Sequence, residues 1–384
     1  MPGVAELIGR GVVAVIAGQM RSYTGVCLAG PAAWVLAGGL LLVMYYYIMN
    51  VHMKKVFGTL ALVFASCVLF SACGKKVGEL NVYSIIHDEE TAALCNLFTK
   101  KTGIKVNYLR ATTGELVNRV IAEKDDPKAD VLLGGGSAYH IQAAKAGALD
   151  VYVPKIAGKL PSYAKSADGT WTGFCVLSLG IGINAKRFAE KFPGVEYPKT
   201  WDELANPIFK GEVVMTNPAS SSTAYLFLQN QLQRLGWENG WNYLEKLSQL
   251  VGQFPDSGSA PPKLIGTGEY ALGVAYLHAL VKYKAQGFDI VTVSPPKTAG
   301  DVDCIAVLKN AKNPENAKKF VDFILDKDAQ ELMTSIDFTV PVNSEADIIE
   351  GATRIEDVDL INYDRAKAAG QKTEVLSKWS KILN

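Results

Sequence analysis

The sequence predicts an α/β protein of about two domains, built on parallel sheet with helices on its faces. Three observations carry this. The chain has 384 residues, too many for one small core and suited to about two domains of ordinary size. Its first well-patterned hundred residues after Lys76 alternate strand, helix, strand, helix, strand, the order that implies a parallel sheet. A long apolar strand signal, Trp171 to Asn184, then reads as a crossover between two lobes.

The amino terminus precedes the fold. Gly25 to Met49 runs without a charge and is about the length of a bilayer span. Met53-Lys54-Lys55, the apolar run Val56 to Phe70, and Ser71-Ala72-Cys73-Gly74 follow. They read as the charged region, the hydrophobic region and the small-residue cleavage site of an export signal over 53–72. Leu69-Phe70-Ser71-Ala72-Cys73 resembles a lipobox, which implies that the Cys73 thiol takes a diacylglyceryl group and becomes the mature terminus. Phe70 stands where such signals carry an aliphatic residue. Because a signal belongs at the extreme terminus, residues 1–52 are read as translated upstream sequence with the start at Met53. The alternative is a genuine membrane helix, which leaves Cys73 unprocessed.

The mature chain then runs in order. Leu80 to Ser84 is a short buried strand. His87 to Lys101 is a helix with Ala93, Leu94, Leu97 and Phe98 at helical spacing, ended by Gly103. Ile104 to Leu109 is a strand, Thr113 to Lys124 a helix, and Ala129 to Leu133 a strand closed by a Gly134-Gly135-Gly136-Ser137 turn. Thr200 to Leu204 carries a capping-box spacing ending at Glu203. Gly211 to Met215 is a strand, and Asn217 to Tyr225 opens a long helix. Trp241 to Leu250 is a helix, and Phe254 to Pro262 is a turn before the next one. Tyr270 to Leu280 holds a strand and the start of another helix. Val302 to Leu308 is a strand, and Pro314 to Leu325 a helix with Ala317, Phe320, Val321 and Ile324 inward.

Composition and motifs exclude several functions. Net charge is +1, so the basic footprint of a nucleic-acid partner is absent. Six cysteines form no C-x-x-C pair, and the four histidines form no H-E-x-x-H. G-x-S-x-G and the phosphate-binding G-x-x-x-x-G-K-[ST] are also missing. No clustered acid, base or nucleophile argues for an enzyme, and no cofactor is expected.

Five stretches, Leu80 to Ser84, Ala129 to Ser137 (ADVLLGGGS), Asn217 to Tyr225 (NPASSSTAY), Thr267 to Tyr276 (TGEYALGVAY) and Asp303 to Met333, together resemble the type 2 periplasmic binding proteins. The likeness is to the branch holding ferric-binding proteins and receptors for sugar phosphates, phosphonates and thiamine. It implies two doubly wound lobes joined by crossing strands, with a ligand cleft between them and no chemistry on the ligand. It also implies docking of the closed form on the permease of an ABC importer with its ATPase subunits. On this reading lobe 1 is 79–175, completed by about 295–335, and lobe 2 is 180–290, completed by about 340–384. The protein is then a monomeric extracytoplasmic receptor lipid-anchored through Cys73. A sensory receptor, or an enzyme on the same fold, is the rival of another class.

Strand ends are where ligands bind in such sheets, which makes Ser84, Thr112, Thr113, Gly135, Gly136 and Ser137 candidate ligand residues. Ser220, Ser221, Ser222 and Thr223 stand where a helix begins, so free N–H groups, the helix dipole and hydroxyls favour an anion there; serine also caps helices routinely. His87 either pairs with a phosphate or caps its helix, and His278 either faces the cleft near Tyr276 or is a satisfied core histidine. Asp256 with Ser257 binds a hydroxyl or amine, or makes a Pro-Asp-Ser-Gly turn. Ser178 on the long strand completes the set. Ferric-binding relatives carry adjacent tyrosines after the G-E-Y strand, near His278-Ala279 in this chain. No such pair exists in the mature sequence, and Tyr276 and Tyr283 do not replace it, so an anionic solute (a sugar phosphate or phosphonate) is expected, with ferric iron as the alternative. Cys175 and Cys304, both on segments read as crossing strands, are either a disulfide or two buried thiols.

Overall fold

The computed structural model describes residues 29–49 and 78–383. Cys73 and the export signal lie outside the described residues. Ala29–Met49 (α1) is a helix, and its described side chains, 34–46, are mostly exposed. Among the described residues no helix is long and apolar enough to cross a membrane.

Val77–Asn384 forms a compact unit of its own. Its elements open with Glu79–Ser84 (β1), Asp88–Thr102 (α2), Lys105–Arg110 (β2), Thr113–Ala122 (α3), Val131–Gly136 (β3) and Ser137–Lys145 (α4). The crossover Thr172–Asn184 (β4) follows, then Ala185–Lys191 (α5), Trp201–Leu204 (α6), Val213–Val214 (β5), Ser222–Leu235 (α7), Trp237–Ser248 (α8), Val251–Gln253 (β6) and Ala260–Gly266 (α9). Leu272–Tyr276 (β7), Leu277–Ala285 (α10), Ile290–Val293 (β8), Gly300–Val307 (β9), Pro314–Leu325 (α11), Lys327–Asp337 (α12), Val340–Pro341 (β10) and Arg365–Leu383 (α13) complete the chain.

The strands follow the order β2-β1-β3-β9-β4-β7-β5-β6, with β8 and β10 also on β4. β1 pairs in parallel with β2 and β3, and β5 in parallel with β6 and β7. These are the two doubly wound halves, each flanked by helices. β4 joins them. Thr172 to Ser178 pairs antiparallel with β9, and Leu179 to Ile183 pairs with β7. All thirteen of its residues are buried, which explains the unbroken apolar signal. β8 and then β9 run back along the same strand and supply the second crossing.

Local signals act as anticipated where they are local. Gly103 ends α2 at φ 72°, in the left-handed region that only glycine enters freely. Thr200 Oγ1 accepts from Glu203 N, while Glu203 Oε2 accepts from Lys199 N one residue before the cap. Cys175 and Cys304 lie on neighbouring strands but are free buried thiols.

The C-terminal α13 falls in the stretch, about 340–384, expected to complete lobe 2. It packs on α4 of the first lobe as well as on α8 of the second. Tyr225 Oη donates to Ala368 O at 2.5 Å, and the Lys372 ammonium sits 3.2 Å from the Tyr139 ring centroid. The helix therefore spans both halves.

Candidate functional site

The strand-to-helix turns of both halves open on one cleft of about 710 Å3, open solvent included. Its anion-favouring end is assembled from three segments. Arg110 closes β2, Thr112 caps α3 by accepting from Glu115 N, and Ser221 precedes α7. The α3 and α7 N-termini approach each other across the cleft: Gly114 N donates to Ser220 O at 3.0 Å, and Thr113 Oγ1 lies 3.4 Å from Ser222 Oγ. Arg110 Nη2 reaches Ser257 Oγ at 3.5 Å, and Ser257 Oγ is 2.8 Å from Ser259 Oγ. Ser220 Oγ donates to Asp256 O at 2.8 Å, which ties the two loops of the second lobe together. Two helix N-termini, a guanidinium and a row of hydroxyls thus face one space, where N–H groups and dipoles favour negative charge.

The other end is acidic. His87 Nδ1 and Asp337 Oδ2 are 2.6 Å apart, and Lys282 pairs with the other oxygen of Asp337. Burial alone would raise Asp337, but hydrogen bonds from His87 and Lys282 hold its carboxyl well below the usual range. Glu90 is 2% exposed, and burial, then the charge of Asp337, push it well above the carboxylate range. Burial also raises Asp303 to about 7 and lowers His278 to about 4. The His278 ring stacks on Tyr276 at 5.5 Å.

Of the residues singled out in the sequence, His87, Thr112, Thr113, Ser220 to Thr223, Asp256, Ser257, Tyr276 and His278 line this cleft. Five do not. Ser84 is fully buried, its Oγ 2.7 Å from Thr91 Oγ1. Ser178 is 9% exposed and pairs with Gly300 inside the sheet. Gly135 and Gly136 belong to β3, not to an open turn: Gly134 and Gly135 take φ 90° and 88° at an irregularity in its pairing with β9. The N-terminus of α4 is already occupied, because Asp301 Oδ2 accepts from Ser137 N at 3.0 Å and Oδ1 from Ser137 Oγ at 2.6 Å. A carboxylate of the protein holds the position an anion would take, and Arg365 neutralises it at 2.9 Å.

Sequence reasoning missed Arg110, Glu90, Asp303, Asp337 and Ser259. Arg110 carried a usable signal, a basic residue at the end of a strand beside Thr112-Thr113. The acids carried none, because what brings them together is tertiary.

The model of the bacterial extracellular solute-binding protein family matches residues 93–355. An uncharacterised protein of Haemophilus influenzae is 32% identical over 308 residues, covering 77% of this chain and 89% of that relative. Iron uptake protein A1 of Synechocystis is 27% identical over 317 residues, covering 74% and 84%. The periplasmic binding protein AfuA from Actinobacillus pleuropneumoniae, solved with fructose-6-phosphate bound, superposes with a TM-score of 0.77 at 28% identity, over 79% of this chain and 98% of AfuA. The chain belongs to the bacterial extracellular solute-binding proteins, and it is the periplasmic solute receptor of an ABC importer.

Proposed function

We propose that this receptor captures an anionic organic solute, with a phosphoryl or phosphonyl group seated between the α3 and α7 N-termini and Arg110. One observation carries the reading: the Gly114 N to Ser220 O hydrogen bond of 3.0 Å brings the hydroxyl-bearing turns Thr112-Thr113 and Ser220 to Thr223 onto one cleft wall, with Arg110 on the same wall. The AfuA complex with a sugar phosphate supports it. Ferric iron, suggested by the iron-uptake relative, fits less well, because His278-Ala279 stands where adjacent tyrosines would be expected to supply phenolate donors. The receptor binds without transforming its solute and acts as a monomer. A lipid on Cys73 holds it at the membrane, and mass spectrometry of the membrane-extracted N-terminal peptide tests that anchor.

The solute reading is tested by thermal shift on the form beginning at Gly74, with sugar phosphates, aminoethylphosphonate, thiamine, polyamines and ferric citrate. A ligand at 100 times its Kd adds about 2.7 kcal/mol, roughly 4 °C for about 310 residues unfolding as one unit. Stabilisation by phosphorylated or phosphonylated solutes supports the reading. Stabilisation by ferric citrate alone overturns it.

A further inference from the structure

The anion end accounts for only part of the cleft wall. Glu90 from the first turn of α2, Asp303 on β9 and Asp337 at the end of α12 also line it, and no anion site requires them. Asp337 is matched internally by His87 and Lys282. Glu90 is only partly matched. It shares a side-chain hydrogen bond with Asp337 and feels the Lys282 ammonium weakly, but its Oε1 is buried without a hydrogen-bond partner, and the carboxyls of Asp337 and Asp303 are its other charged neighbours. Tyr276 Oη is likewise buried and makes no well-formed hydrogen bond; the hydroxyls of Ser222 and Thr223 and the carboxyls of Asp303 and Asp301 are its polar neighbours. Native proteins leave few buried polar atoms unpaired, and each such atom calls for a reason. Here two of them belong to residues on the wall of the cleft where a solute must sit.

We propose that this end is a second subsite, in which Glu90 and Asp303 accept hydrogen bonds from hydroxyl or ammonium groups on the body of the solute while Tyr276 Oη links it to the anion end. The receptor then selects an anion that carries such donors over the bare anion. The inference rests on the anion reading above and names the class of molecule attached to that anion. Selectivity follows because a site built with buried polar groups discriminates strongly against an analogue that leaves them unpaired. A protonated carboxyl can both donate to and accept from a hydroxyl, whereas an ammonium pairs with the ionised form and displaces the proton. The titratable groups facing Glu90 or Asp303 are His87, Lys282, Asp337, Asp301, Tyr276, Cys175 and Cys304.

The test is calorimetric Kd measurement on the form beginning at Gly74 with methyl phosphate, glucose 6-phosphate and 2-aminoethylphosphonate. Wild type is compared with Glu90→Gln and Asp303→Asn, near-isosteric changes whose folding is checked by circular dichroism. At least one donor-bearing probe is expected to bind about tenfold or more tighter than methyl phosphate, and both substitutions are expected to shrink that ratio. A ratio for the aminophosphonate that grows from pH 6 to pH 8 identifies the donor as ammonium. A pH-flat ratio for the sugar phosphate identifies it as hydroxyl. Equal binding of all three probes by wild type, or a ratio that survives both substitutions, overturns the subsite alone. If none of the three binds, the anion reading fails and the subsite falls with it.

Discussion

Gly114 offers a test of how closely the two lobes meet around a bound solute. Its N–H donates to Ser220 O across the cleft at 3.0 Å. A methyl group added at Gly114 would fall 2.6 Å from Ala219 O and 3.2 Å from Ser220 Cα. Both are backbone atoms, so no side chain can swing aside. Ordinary contact begins at 3.4 Å, and 3.4 minus 2.6 leaves a displacement of 0.8 Å to be absorbed. Forced overlap of this kind costs about 1–3 kcal/mol, which at about 1.4 kcal/mol per decade is roughly a 5- to 150-fold loss of affinity if the bound state needs this approach. Within α3 the same change is favourable, since alanine exceeds glycine by up to about 1 kcal/mol in a helix. Gly114→Ala should therefore leave the ligand-free melting temperature within about 4 °C of wild type while weakening the solute strongly. Calorimetry and a melting curve on the same sample read both quantities. Affinity within twofold of wild type would refute the reasoning, because closure would then not bring α3 against 217–222. A large fall in ligand-free stability would refute it too, by showing that Gly114 serves the first lobe's own fold.

Three further outcomes follow from the geometry. Arg110→Gln should cost an anionic solute about 1.5–3 kcal/mol, the worth of a hydrogen bond to a charged group, and titration at low and high salt should show the wild-type advantage shrinking as salt rises. Lys372 is held down to about 7 by burial. Its folded value lies below its unfolded one, so the protein gains stability as pH rises from about 7 to 10.5, and the penalty is fully present below that window. Lys372→Met should accordingly be the more stable protein at pH 7, by an amount that shrinks toward pH 10, as read by urea unfolding. Cys95, Cys175 and Cys304 are buried free thiols; burial pushes Cys95 up to about 12 and the other two well above their ordinary value. All three should resist Ellman's reagent in the native protein and react together on denaturation.

Much of the fold could be read from the chain because its signals are short-range. The opening β-α-β-α-β pattern, the bounds of α11 and the serine-rich start of α7 each depend on a few neighbouring residues. The site was legible only where a helix start coincided with a loop, as at Thr112-Thr113 and Ser220 to Thr223. Gly134 to Ser137 shows why the rest was not. Glycines followed by a serine before a helix suggest an open anion cradle. Whether that cradle is free depends on Asp301, which lies 164 residues from Ser137. Glu90 is similar: an acid in the first turn of α2, beside Asp88 and Glu89, is what any helix favours there. Its burial becomes visible only when α12 and β9 are packed against it. The edge strands β6 and β8 carry too few residues for a pattern, and α13 has only four buried residues in its nineteen.

The strand order also has a consequence for biogenesis. β3 and β4 are separated in the sheet by β9, so the first half of the sheet stays split until residues 300–307 arrive to fill the gap. A nascent chain threaded outward from its amino terminus therefore cannot finish its first lobe early. Pairings between segments so distant in sequence form slowly. For a receptor that works outside the cytoplasm, the topology postpones a stable native core until nearly the whole chain is available.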